Sequence, residues 1–150
     1  MKEIFEKLNE IKDEILLEKG ANELRLFVLV ARTDIDARWD ILFSADWLEK
    51  TNSEKDLVYL IEKLKSKFDG NLDFLARIVV ATPHEIFIKR LAKAIIRENG
   101  RESGEIVGLV TTADFTVKRL FVMYINFSDE EISAEGTVDR PLAVQKISDF

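Results

Sequence analysis

Along residues 2–18 the apolar positions recur at spacings of three and four: Ile4, Leu8, Ile11 and Ile15, with Phe5 and Leu16 beside them. That period predicts an amphipathic helix, with Glu3 and Lys7 paired on its wet side and Gly20 where a helix stops. Leu24 to Ala31 is apolar on both faces apart from Arg25. Such a strand is covered on both sides and belongs in the interior of a sheet. Thr33-Asp34-Ile35-Asp36 is turn chemistry. Over residues 37–43, Trp39, Ile41 and Phe43 alternate with Arg38 and Asp40, which predicts a second strand and an antiparallel hairpin.

Asp46-Trp47-Leu48 opens a short helical turn. Ser53 with Asp56 three residues on is a variant of the capping box. Leu57, Leu60, Ile61, Leu64 and Phe68 then form the clearest helical stripe in the chain, closed by Asp69-Gly70. Leu72 to Ala81 reads as a third strand centred on Ile78-Val79-Val80. Thr82-Pro83-His84-Glu85 offers a cap, a proline at the first helical position and an acid at the third, predicting a helix that runs to about Arg97.

Residues 106–112 and 116–127 read as two further strands joined at Ala113-Asp114-Phe115. Leu120 to Ile125 is an unbroken apolar and aromatic run, so alternation sends large side chains to both faces. Helices or a second copy of the chain must cover them. From Ser128 the chain turns polar. Ser128-Asp129-Glu130-Glu131 is expected to cap one helical turn, and residues 128–150 are expected to form a loosely packed tail, either pinned to the body by Leu142, Val144 and Ile147 or partly disordered.

The order α-β-β-α-β-α-β-β implies a single α+β (or α/β) domain over residues 1–150, with a mixed sheet of about five strands and helices packed on it. Each strand–helix–strand connection is expected to be a right-handed crossover between parallel strands.

Composition narrows the classes. The chain has no cysteine, which removes a disulfide framework, a thiolate metal site and a cysteine nucleophile together. It also fits the reducing cytoplasm, where the protein is expected. Met1 to Lys7 alternates charge with apolar residues, unlike a signal peptide. The most apolar strings, at 24–31 and 120–127, fall far short of the ~20 residues that span a bilayer. No membrane partner is expected. A net charge of −6 with both signs interspersed argues against a broad nucleic-acid surface. The nearest thing to a basic cluster, Lys89, Arg90, Lys93 and Arg97, lies on one predicted helix and reads as a solvated face.

Candidate chemistry is sparse. Asp34, Asp36 and Asp40 are the densest carboxylates, and hard cations want clustered oxygens. Arg38 and Trp39, however, stand where a calcium loop needs an oxygen ligand and a glycine. Asp40 is not followed on the next strand by the Glu-x-Lys that a metal-dependent nuclease requires; Glu85 and Lys89, four apart, are ordinary helix pairing. His84 is the one histidine and the natural general base, but the first turn of a helix opposes its protonation. The six glycines spell no phosphate loop. No metal or cofactor is therefore expected, although a helix N-terminus beside Thr82 and His84 suits an anion. Trp39 is expected in the core and Trp47 as a half-buried lid over it.

These patterns support two functional expectations. The first is a non-catalytic binding or regulatory module acting through protein–protein contacts, with itself as a homo-oligomer or with another protein. The second is a small enzyme or ligand-binding protein. Its site would lie at the C-terminal ends of the strands at 37–43 and 72–81, where open α/β sheets bind ligands. The candidate ligand-binding residues there are Ser44, Asp46, Trp47, Thr82, His84 and Glu85, none with an assigned catalytic role.

Overall fold

The computed structural model describes residues 2–32, 38–49, 53–112, 116–133 and 143–146. Its elements run α1 (Lys2–Lys19), β1 (Leu24–Arg32), β2 (Trp39–Ala45), a 3-10 turn (Asp46–Glu49), α2 (Ser53–Lys67), β3 (Leu75–Ala81), α3 (Ile86–Asn99), β4 (Gly104–Thr111), β5 (Thr116–Ile125), α4 (Asp129–Ser133) and β6 (Ala143–Lys146). The turn at 33–36, the joint at 113–115 and residues 134–142 and 147–150 of the expected tail lie outside the described residues.

The six strands form one mixed sheet in the order β4-β5-β1-β2-β3-β6, an α+β arrangement. β1 sits in the interior, antiparallel to β2 on one side and to β5 on the other, as its two-faced apolar sequence requires. β2 and β3 are parallel, joined through α2. β6 adds a strand that the sequence did not announce, antiparallel to β3. Four residues, Ala143 to Lys146, are too short a run to carry a period-2 signal that reads as a strand.

The second crossover differs from expectation. β4 pairs antiparallel with β5, β5 with β1 and β1 with β2, so β4 runs antiparallel to β3. The reason lies in α3. It starts after the end of β3 and finishes beside the end of β5, where Arg101 Nε donates to the Phe127 carbonyl at 2.9 Å. Fourteen residues span about 21 Å, enough to cross four strands spaced ~4.8 Å apart. The helix thus traverses the strands instead of running back along them.

Helices cover both faces. On one, α1 and α2 bury Leu8, Ile11, Ile15, Leu60 and Leu64 against Phe27, Leu29, Ile41, Phe43, Ile78 and Met123. On the other, α3 buries Ile88, Leu91 and Ile95 against Leu26, Val28, Leu42, Val79, Leu120 and Val122. Trp39 is core, as expected, in edge-to-face contact with Phe121 at 5.4 Å. The apolar run of β5 is accordingly covered from within the chain. Phe121 meets Phe5 of α1 at 5.2 Å, while Leu120 and Val122 sit in the α3 core. The middle of this strand therefore needs no second copy to keep it dry.

Candidate functional site

The parallel pairing of β2 and β3 brings their C-terminal ends to one edge, with Ser44 opposite Ala81. The side chains there diverge. Ser44 alternates with Phe43, so it points into the α3 face, where it is fully buried and its Oγ has no hydrogen-bond partner among the described residues. Trp47 turns to the opposite face. Its indole Nε1 donates to Asp56 Oδ1 at 3.0 Å, and it stacks edge-on against Phe43. It is buried at 7 % exposure, deeper than a half-buried lid. Asp56 thus serves as a buried acceptor at the head of α2; the side chain of Ser53, its expected capping partner, lies outside the described ones.

Asp46 is held by Arg25, whose Nη1 donates to Asp46 Oδ1 at 2.9 Å. On the β3 side, Thr82 is half-buried and His84 exposed. Glu85, not Thr82, occupies the N-cap of α3, in extended conformation and without a side-chain cap bond. The expected start at Thr82-Pro83 is displaced because Thr82 to Glu85 close a turn first, with the Glu85 N–H on the Thr82 carbonyl at 3.3 Å. Glu85 is buried. The six candidates thus share one edge, but Ser44 and Trp47 turn to opposite faces, and Ser44, Trp47 and Glu85 are buried.

Arg25, which sequence reading passed over, is a polar group with bonds to three separate segments. Its Nε donates to the Asn126 carbonyl at 2.7 Å, its two terminal nitrogens reach Asp46 and Glu131, and its guanidinium lies 4.8 Å from the centre of the Phe127 ring. Burial pulls the Arg25 pKa down, but the bonds to Glu131 and Asp46 outweigh it and the net shift is upward. Burial likewise pushes Glu131 up, and the bonds from Arg25 and Ser128 together more than reverse that, leaving it below its ordinary value. Ser128 and Glu131 complete a capping box on α4: Ser128 N–H donates to Glu131 Oε1 at 2.9 Å and Glu131 N–H to Ser128 Oγ at 3.2 Å. A lone cation in a two-faced apolar strand was the available signal, since buried arginine requires partners.

Asp40, from the carboxylate group noted in the sequence, is 2 % exposed and accepts from Arg77 Nε at 3.0 Å. Asp34 and Asp36 lie outside the described residues. Among the described residues no group of three His, Cys, Asp or Glu side chains could hold a metal, and no helix is long and apolar enough to cross a membrane.

Elsewhere, a cleft of about 400 Å³ runs between α1 and α2, lined by Glu14, Tyr59, Glu62, Lys63, Ser66 and Lys67. Two of its polar groups, Tyr59 and Lys63, bond to Glu18 beside it. Lys63 Nζ lies 2.6 Å from Glu18 Oε2, Tyr59 OH donates to the same carboxylate, and Lys19 and Lys63 lie over the Tyr59 ring at 4.9 and 5.1 Å. The Lys63 bond holds Glu18 below its ordinary pKa; burial, then Glu18, pushes Tyr59 well up. The arrangement staples two helices.

No family model, no curated protein and no solved structure matches the chain.

Proposed function

We propose that this protein is a non-catalytic binding or regulatory module that works through protein–protein contacts, with the outer edge of β4 as its surface. β4 ends the sheet order, so among the described residues one side of its backbone has no strand partner, and Val107 on it is 88 % exposed. An open edge with an exposed β-branched residue is a template for strand addition by a partner's extended segment. The register irregularity between Val107 and Val110, with Gly108 at φ +103°, bends the edge and confines addition to Gly104–Val107. A cytoplasmic setting belongs to the same reading, supported by the cysteine-free sequence. Affinity capture with wild-type and Val107→Lys chains tests it. A stoichiometric partner lost on substitution supports the reading, binding indifferent to the substitution removes β4 as the surface, and no stoichiometric partner at all removes the function.

A second reading, a small-ligand site at the C-terminal ends of β2 and β3, is favoured by one observation: the buried Ser44 Oγ has no hydrogen-bond partner among the described residues. Buried hydroxyls are nearly always satisfied, and a ligand or water group would satisfy this one. A compound that raises the melting temperature of the wild type but not of Ser44→Ala would support it; equal shifts in both would exclude Ser44.

A further inference from the structure

α1 and α3 lie on opposite faces of the sheet, and each turns one stripe of side chains outward. Opposite the buried Leu8, Ile11 and Ile15, α1 exposes Glu6, Glu10, Asp13 and Leu17. Opposite its buried Leu91, Ala92 and Ile95, α3 exposes Arg90, Lys93 and Arg97, with half-buried Ile86 heading the same stripe. Both stripes advance by four, three and four residues. Equal steps mean equal rises, at about 1.5 Å per residue.

Laid antiparallel, the stripes set Glu6 against Arg97, Glu10 against Lys93, Asp13 against Arg90 and Leu17 against Ile86. Laid parallel, they would set Leu17 against Arg97 and Glu6 against Ile86. Charge and hydropathy thus select one register and one direction, which also opposes the two helix dipoles. Leu17 is 88 % exposed in the single chain, and this register is the one that gives it an apolar neighbour.

We propose that the chain assembles head to tail with copies of itself, the outward acidic stripe of α1 seating on the outward basic stripe of α3 of the next copy. The two stripes are different surfaces on opposite faces, so the contact is heterologous and does not close as a two-fold dimer. It propagates, copy after copy, until a ring closes or the chain of copies ends. Several stripe residues have neighbours of opposite charge within their own chain: Lys67 lies 3.5 Å from Glu10, Lys12 2.9 Å from Asp13 and Glu98 3.2 Å from Arg97. Surface pairs of this kind contribute little and rearrange readily. One helix pair buries less than the roughly 1,000 Å² of a stable interface, so the assembly is weak, concentration-dependent and sensitive to salt.

Sedimentation velocity on the full chain tests this. The weight-average mass should exceed the 17.3 kDa monomer at high protein concentration in low salt. It should return to the monomer near ~0.5 M salt, where the Debye length falls to a few ångströms. Reversing one stripe, in Glu6→Lys/Glu10→Lys/Asp13→Lys or in Arg90→Glu/Lys93→Glu/Arg97→Glu, should lower the association constant at least about tenfold, because the facing charges then repel. Mixing the two variants should restore assembly, since each again meets its opposite; circular dichroism checks that both are folded. The exposed Leu17→Lys gives a milder check and should also weaken association. A wild type that stays monomeric in low salt, reversed variants that associate like the wild type, or a mixture that stays monomeric would each overturn the proposal. Val107→Lys should leave this assembly intact, so its failure is distinguishable from failure of the β4 reading.

Discussion

Arg25 on β1 and Glu131 on α4 are ion-paired across 106 positions of sequence. The pair, with Asp46 and the Asn126 carbonyl, ties the start of β1 to the ends of β2 and β5. Arg25→Met removes the shared donor and the stacking on Phe127, while Asp46 and Glu131 are exposed enough to rehydrate. A loss of about 1–3 kcal/mol is expected in chemical denaturation. Arg25→Lys should recover little of it, because a point-like ammonium cannot fork to two carboxylates and a carbonyl.

The same pair sets a pH response. Glu131 has its folded pKa below its unfolded value, so the stability it contributes is fully present above the unfolded value of about 4.3 and is lost as pH falls through the folded one. The stability difference between wild type and Glu131→Gln should be constant near neutrality and shrink on acidification below about pH 4. A difference that does not change with pH would show that the carboxylate charge contributes nothing.

Leu64 is fully buried in the α1–α2 core. Leu64→Ala should cost roughly 2–5 kcal/mol in urea denaturation, from lost burial and a cavity that the sheet face cannot collapse around.

Val122 and Val107 make a contrasting pair on neighbouring strands. Val122 is fully buried beneath α3, so Val122→Asp strands a carboxylate in an apolar core and should leave the chain unfolded by circular dichroism. Val107 is exposed at the sheet edge, and Val107→Lys should change stability by no more than about 0.5 kcal/mol. A folded Val122→Asp would show that the α3 face is wet.

Much of the fold was legible because apolar period is set by burial. The stripe from Leu57 to Phe68 and the two-faced run from Leu24 to Ala31 report helix and interior strand directly, and both are found as read. The direction of β4 was not legible. It depends on the angle at which α3 crosses the strands, and a helix buries the same stripe at any angle. The candidate site was legible as an edge and not as a constellation. Parallel pairing of β2 and β3 followed from the crossover rule, but the period-2 pleat that sends Ser44 one way and the turn that sends Trp47 the other act below the level of strand order. Arg25 was discounted as a strand start because its partners, Asp46, Asn126 and Glu131, come from three separate segments.

β1 meets its two neighbours at very different times. Val30 pairs with Asp40 of β2, ten residues on, whereas Leu26 pairs with Ile125 of β5, ninety-nine residues on. At about 5–20 residues per second of synthesis, β1 waits roughly 5–20 s for its second partner. Throughout that wait the most apolar strand of the first half presents an open edge, and the nascent chain is at its most exposed to aggregation then. α1, made before β1 and packed on it, is the element placed to shield it. A ribosome-bound intermediate ending near residue 100 is the species in which chaperone engagement should peak.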